Sequence, residues 1–234
     1  MTNATEADKK RAIRSYVLRQ GRITSGQERA FAEHWPRYGL EVDDALRLDA
    51  PALFGDNRDL ILEIGFGNGD SLVQMAAAAP QAGYIGIEVH RPGVGHALVL
   101  AAAAGIDNLR VIRHDAVAII RDHVPDGTLS RVQIYFPDPW PKARHHKRRI
   151  VQRAFTDLIW RKLRAGGEIH CATDWENYAE WMRDVFAGDP KWQNLGSADG
   201  FAPRPDWRPQ TKFERRGERL GHGVWDLRYR KTEA

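Results

Sequence analysis

The sequence predicts an α/β domain on a mostly parallel sheet, with helices on both faces and an antiparallel strand near the C-terminus. Two patterns predict it. From Asp59 onward, short apolar runs alternate with segments of helical composition, as in a parallel sheet buried on both faces. Near the end, Trp225, Leu227 and Tyr229 alternate with Asp226 and Arg228, so Val224–Tyr229 has one wet face and marks an edge or antiparallel strand. Residues 1–57 are polar and basic and are predicted to form a partly helical extension ahead of a domain over 58–234.

The elements follow in chain order. Arg29–Trp35 (RAFAEHW) suits a helix within the extension. Leu60-Ile61-Leu62 with Ile64, Tyr84–Ile87, Val111-Ile112, Val132–Phe136 and Glu168–Ala172 suit buried strands. Between them Ser71–Ala79, Gly95–Ala104, Ala116–His123 and Arg149–Leu163 have helical composition, as does Asn177–Phe186 after the fifth strand. Pro36, Pro51, Pro80, Pro125 and Gly166-Gly167 are expected between elements, where breakers belong. Gly188–Gln210, rich in Pro, Gly and Asp, is expected to be loop.

Composition excludes several classes. At about 150 residues per domain, 234 residues allow one large domain or two small ones. The single Cys171 cannot make an internal disulfide, and no Cys/His cluster has zinc spacing. The longest apolar run, Ala97–Ala104, is far below the about 20 residues of a membrane span. The first fifteen residues lack the apolar region of a secretory signal. A cytoplasmic protein without a membrane partner is therefore expected.

The net charge of +4 is small, but the charges cluster. Lys9–Arg22 holds six basic residues and Lys142–Arg149 (KARHHKRR) holds five with two His, neither with an acid. Unmixed basic blocks suit a polyanionic partner.

Chemistry concentrates where strands end. Leu60–Ile64 runs into Gly65-Phe66-Gly67-Asn68-Gly69-Asp70, a glycine turn of the kind that lets backbone approach a ligand at the edge of an open α/β sheet. Glu88 ends the next strand, where a carboxylate can take two ribose hydroxyls. A dinucleotide fingerprint would place its third glycine at position 70. Asp70 stands there instead and would repel a pyrophosphate at the helix start. S-adenosylmethionine carries no phosphate and is cationic, so acids at 63 and 70 are tolerable. Asp115 can accept from an adenine amino group or cap the helix that follows, and the two roles are compatible.

The fourth strand leads into Pro137-Asp138-Pro139-Trp140-Pro141-Lys142. Three prolines in five residues stop helix and central strand alike and present Asp138 and Trp140 at the sheet's carboxyl edge. A ring beside a carboxylate suits a flat base; a rigid turn with Trp140 in the core is the plainer alternative.

At this point the chain resembles a known family. Phe136-Pro137-Asp138-Pro139-Trp140-Pro141-Lys142-Ala143-Arg144-His145-His146-Lys147-Arg148-Arg149 is similar to the signature of the bacterial tRNA (guanine-N7)-methyltransferases of the TrmB type. Thr211-Lys212-Phe213-Glu214-Arg215-Arg216-Gly217 resembles that family's second signature. Glu63 with Gly65, Gly67 and Gly69, Glu88, His114-Asp115-Ala116, Ala172-Thr173-Asp174 and Arg14–Arg22 are similar too.

The resemblance implies a Rossmann-like class I methyltransferase fold and methylation of a variable-loop guanine of tRNA with S-adenosylmethionine as donor. It implies donor contacts from Glu63, Gly65, Gly67, Gly69, Glu88, Asp115 and Asp138, with Asp138 also catalytic. Substrate contacts would come from Lys142, Asp174, Thr211, Lys212, Phe213 and Glu214. RNA contacts would come from Arg144, His145, His146, Lys147, Arg148 and Arg149. No protein partner is required by the sequence, and a monomer or homodimer is expected. A methyltransferase for another RNA guanine, a nicotinamide-dependent oxidoreductase and a non-catalytic RNA-binding module are the alternatives.

Overall fold

The computed structural model describes residues 14–17, 21–211, 214 and 223–232. The chain opens with helix α1 (Ser25–Tyr38) and short helix α2 (Ala50–Phe54). It then alternates β1 (Leu60–Ile64), α3 (Asp70–Ala78), β2 (Gly83–Ile87), α4 (Arg91–Ala104), β3 (Leu109–Ile112), α5 (Ala116–His123) and β4 (Leu129–Tyr135). A 3₁₀ helix (Ala143–Arg148), α6 (Arg153–Lys162), β5 (Leu163–Thr173), α7 (Glu176–Phe186), β6 (Trp192–Asn194) and β7 (Trp225–Lys231) complete it.

Among the described residues, seven strands form one sheet in the order β3-β2-β1-β4-β5-β7-β6. β1 to β5 pair in parallel, and β7 runs antiparallel to both neighbours, β5 and β6. β1 and β2 are buried along their whole length, which is why they read as continuous apolar runs. Leu62, Ile85, Val132 and Ile169 face α5, α6 and α7 in one core. Ile61 and Tyr84 face α1, α3 and α4 in the other. Residues 25–57 pack onto this body: α1 lies against α4, Leu40 N–H donates to Val111, and Leu48 is in the core.

Four expectations change. Pro36 lies inside α1. Its missing N–H removes one helix bond, but the buried Tyr38 hydroxyl, donating to the Ala101 and Ile106 carbonyls, holds the last turn. Pro51 opens α2 behind its Asp49 cap instead of separating elements. Gly166-Gly167 sit within β5 at a shift in its register with β4, where φ is +69° at Gly166. The loop expected over Gly188–Gln210 contains a strand, β6, which pairs outside β7, so β7 is the expected antiparallel strand but lies inside the sheet.

The helix predicted over Arg149–Leu163 is shorter than expected: residues 149–152 follow the 3₁₀ turn without being helical, α6 starts at Arg153, and Leu163 already opens β5.

Candidate active site

The carboxyl ends of the strands converge on a cavity of about 570 Å³, lined among others by Gly65, Glu88, His90, Phe136, Asp138 and Trp140. Ser15, Tyr16 and Val17, remote in sequence, close one side.

The glycine loop is built from its own amides. Gly65 N–H donates to the Ile87 carbonyl and Gly69 N–H to Phe66. Gly67 N–H donates to Glu88 Oε2 at 2.9 Å, while Val89 and His90 N–H donate to Glu88 Oε1 at 2.7 and 2.9 Å. Three backbone bonds hold this carboxylate at the end of β2 and leave acceptor capacity for a ligand hydroxyl. All three glycine amides are thus engaged and none is aimed at an anion. A dinucleotide's pyrophosphate needs such amides. Among the described residues the cavity lining holds two carboxylates, Glu88 and Asp138, and no Lys or Arg, which suits a cationic ligand and opposes a phosphate. S-adenosylmethionine fits this donor set and a pyrophosphate does not.

Asp138 is exposed, in a loop held at several points. Phe136 and Trp140 both take positive φ, +51° and +47°, a strained state for bulky residues that surrounding contacts must impose. Those contacts are visible. Phe136 N–H donates to the Ala172 carbonyl at 2.7 Å, Pro139 O accepts from Arg149 Nε at 2.9 Å, and Trp140 Nε1–H donates to Ser15 O at 3.2 Å. Arg148 covers one face of Trp140, 3.8 Å from the ring centroid, so that face is closed to a base.

Asp115 Oδ1 caps α5, accepting from Val117 and Ala118 N–H. The Tyr16 hydroxyl lies beside the same carboxylate; burial, then the Asp115 charge, raises its pKa. Asp115 lines a second, more open cavity of about 890 Å³ along with Arg14, Arg113, Arg121, Lys147 and Arg148. Acidic and cationic cavities therefore lie side by side, with Tyr16 lining both.

Several expected residues sit elsewhere. Glu63 is 3% exposed within β1 and does not line the donor cavity. Burial, then the Glu88 charge, pushes its pKa up to about 8 against the opposing Arg131. Gly67 and Gly69 shape the loop from behind rather than lining the cavity.

Arg149, expected on RNA, is 1% exposed. It spends its guanidinium on Pro139 O and on Asn177 Oδ1 at 2.7 Å, over the rings of Tyr178 and Trp181. It is an internal brace of the Asp138 loop. His146 packs edge-on against Trp181 with Nε2 buried and unpartnered, so it is turned from solvent as well. Partial burial, then the charges of Arg144 and Arg148, lowers the His145 pKa and so disfavours its charged form. Lys142, Arg144 and Lys147 are exposed.

Asp174 is exposed at the end of β5, followed by Trp175, which is also exposed rather than packed. Trp181 donates through Nε1–H to the Val151 carbonyl and Trp192 packs edge-on against Phe186.

Glu214 is buried and fully engaged: Arg208 donates to both its oxygens at 2.7 and 2.8 Å, and Thr211 N–H donates to Oε2. It anchors the second signature from a buried position, with both oxygens paired to Arg208. Thr211 Oγ1 in turn accepts from Glu214 N–H. Lys212, Phe213, Arg215 and Arg216 lie outside the described residues, as do Lys9, Lys10, Arg11 and Arg19.

Arg208 also grips Asp226 with two 2.8 Å bonds. Since a carboxylate only accepts, His170 Nε2–H donates to Asp226 and Nδ1 accepts from the Tyr135 hydroxyl. A buried polar chain thus ties the end of β4 to the second signature. Composition alone carried no signal for Arg208, nor for Tyr16 and Arg113, because their partners are distant in sequence.

The strand order and a ligand site on the strands' carboxyl edge define a Rossmann-like class I methyltransferase. Solved structures agree on the fold: the 16S rRNA methyltransferase KamB matches with a TM-score of 0.57 at 14% identity, covering 83% of this chain and 96% of that one. A 16S rRNA (adenine(1408)-N(1))-methyltransferase from Catenulisporales acidiphilia matches with a TM-score of 0.52 at 16% identity, covering 83% and 93%. The family model described as "Putative methyltransferase" matches residues 57–227. Curated relatives are nearer. A tRNA (guanine-N(7)-)-methyltransferase of Shewanella oneidensis is 57% identical, covering 94% of this chain and 92% of its own. That of Halorhodospira halophila is 54% identical, covering 94% and 95%.

The chain belongs to the tRNA (guanine-N(7)-)-methyltransferase family. Among the described residues no helix is long and apolar enough to cross a membrane.

Proposed function

We propose that this protein transfers a methyl group from S-adenosylmethionine to N7 of the variable-loop guanine of tRNA. The observation that carries the reading is the segregation of charge. Among the described residues, a cavity with two carboxylates and no Lys or Arg adjoins one lined by Arg14, Arg113, Arg121 and Lys147. A cationic donor suits the first, and an RNA backbone suits the second.

Bound in the first cavity, the donor supplies an electrophilic methyl on a sulfonium. Glu88 would take its ribose hydroxyls and Gly65 would shape the floor, while Asp115, with Oδ1 committed to α5, lines the adjoining cavity and would reach the donor only past Tyr16. Guanine N7 has an in-plane lone pair and no proton, so no general base is required. What remains is to align the base and to stabilise the positive charge it gains. Asp138, on a loop held at both strained flanks, would supply that negative charge.

Lys142, Arg144 and Lys147, exposed directly after that loop, would hold phosphates flanking the base. Asp174 would contact the substrate from the end of β5.

The test is transfer of labelled methyl to an unmodified tRNA transcript, beside a transcript whose variable-loop guanine is adenine. Label on the first alone is expected, and Asp138→Ala should lower kcat by at least about 100-fold with tRNA affinity retained. Equal label on both transcripts would move the target base. Full turnover in Asp138→Ala would remove that residue from the mechanism.

A further inference from the structure

The donor cavity is not closed by the Rossmann-like body alone. Ser15, Tyr16 and Val17 form part of its lining, and they belong to a stretch without helix or strand. Such backbone must find partners outside itself. It finds them 125 residues or more away in sequence. Trp140 Nε1–H donates to Ser15 O, and Arg148 donates through Nε to Arg14 O and through Nη2 to Tyr16 O, both at 3.0 Å. The carbon of the same guanidinium lies over the Trp140 ring, 3.8 Å from its centroid. Two directed donors and a stacking plane on one side chain are properties of arginine that a lysine lacks.

With Nε–H and one Nη2–H held by two backbone carbonyls, Arg148 cannot offer a phosphate its Nε/Nη2 fork, and its ring-facing plane is covered by Trp140. Arg148 therefore differs in role from Lys142, Arg144 and Lys147, although all four lie in one basic run. Only the last three present exposed cations.

We propose that Ser15–Val17 is a wall of the methyl-donor site, and that Arg148 is the positioning residue that holds it there rather than a ligand of RNA phosphate. The proposal rests on the donor reading of the cavity. Tyr16 lines both this cavity and the one that holds Asp115, and its hydroxyl lies beside that carboxylate, whose Oδ1 caps α5. Donor affinity then depends on a residue inside the basic run even when no RNA is present.

The experiment uses the full chain and two titrations: S-adenosylhomocysteine without RNA, followed by calorimetry, and tRNA over a range of salt. Arg148→Ala is expected to weaken S-adenosylhomocysteine about tenfold, the effect of losing a charge-assisted hydrogen bond. Arg148→Lys should restore only part of this. Trp140→Phe, which keeps a ring but deletes the donor to Ser15, should weaken it several-fold. The salt dependence of tRNA binding should be unchanged in Arg148→Ala, whereas Lys142→Ala lowers its slope by about 0.7–0.9.

Unchanged donor affinity in Arg148→Ala overturns the proposal, whatever the slope does; a lowered slope in addition would make Arg148 an RNA ligand. If Arg148→Ala does not fold, Tyr16→Ala, outside both apolar cores, carries the same donor titration. A wild-type protein that binds no S-adenosylhomocysteine would instead sink the donor reading itself, and with it the proposed function.

Discussion

Replacing Glu63 by Gln should stabilise the ligand-free protein at neutral pH and leave it nearly unchanged in acid. Glu63 sits in the middle of the sheet, 3% exposed, with Oε2 buried and unpartnered. Burial first, and then repulsion from Glu88, raises its pKa from 4.5 to about 8. Below pH 4.5 both the folded and the unfolded chain hold this proton. Between pH 4.5 and about 8 only the folded chain holds it, so stability falls as pH rises, and above about 8 the loss is complete.

Each pH unit in that window is worth ~1.4 kcal/mol, which makes the cost at pH 7 on the order of 2–4 kcal/mol. Glutamine has the shape of the protonated acid and never ionises. Its register partner Gln133 carries a buried, unpartnered Oε1, an acceptor that suits either an amide N–H or a carboxyl O–H. Urea unfolding of both proteins at pH 4.5, 6, 7 and 8 measures the difference directly. It should open from near zero at the acid end to the full value near pH 8. A Glu63→Gln variant less stable by the same amount at every pH would refute the reasoning, because the ionised carboxylate would then be making favourable contacts. Loss of donor binding in a stable variant would return Glu63 to the donor site.

Other consequences follow from the same geometry. A Cβ added at Gly93 would overlap the Gly67 carbonyl, so Gly93→Ala should displace the glycine loop and raise the KM for the donor at least tenfold while far-ultraviolet circular dichroism stays native. Arg149→Ala should destabilise the fold by ~3 kcal/mol, since a buried hydrogen-bonding network is broken; thermal unfolding should separate it from Lys142→Ala, which weakens tRNA binding at unchanged Tm. Asp226→Asn leaves the fully buried Arg208 short of one carboxylate and should cost ~3–5 kcal/mol. The Asp226 pKa is lowered by hydrogen bonds from His170 and Arg208 that outweigh its burial. Its contribution is therefore present above the ordinary carboxylate pKa of 3.8 and is lost as pH falls through the lower folded value, an acid limb that chemical denaturation should find missing in the variant.

The sheet was legible because buried parallel strands are short, apolar and separated by amphipathic segments. Leu60–Ile64, Tyr84–Ile87 and Ala116–His123 have the predicted type, and their bounds agree to within a residue or so. The alternation of Trp225, Leu227 and Tyr229 marked an antiparallel strand, but β6, with three residues, is too short for any periodicity to register. Pro36 looked like a boundary because local chemistry favours one there; the buried Tyr38 hydroxyl outweighs that preference from the far side of the helix.

By itself, the sequence determined the strand–helix alternation, the glycine turn after β1 and the carboxylates at strand ends. These depend on neighbours within a few residues, where period and spacing are visible. Only the tertiary structure decided which charges meet water. In the run Lys142–Arg149 the letters are alike, yet Lys142, Arg144 and Lys147 are exposed, Arg148 holds the N-terminal segment, and Arg149 is sealed beneath the Asp138 loop. Glu63 and Glu88 likewise look equivalent, but one is dry within a strand and the other is held by three amides at the cavity. Solvation and pairing are set by groups tens to more than a hundred residues away in the chain. Side-chain identity carries the capacity for charge and hydrogen bonding, and packing determines where that capacity is spent.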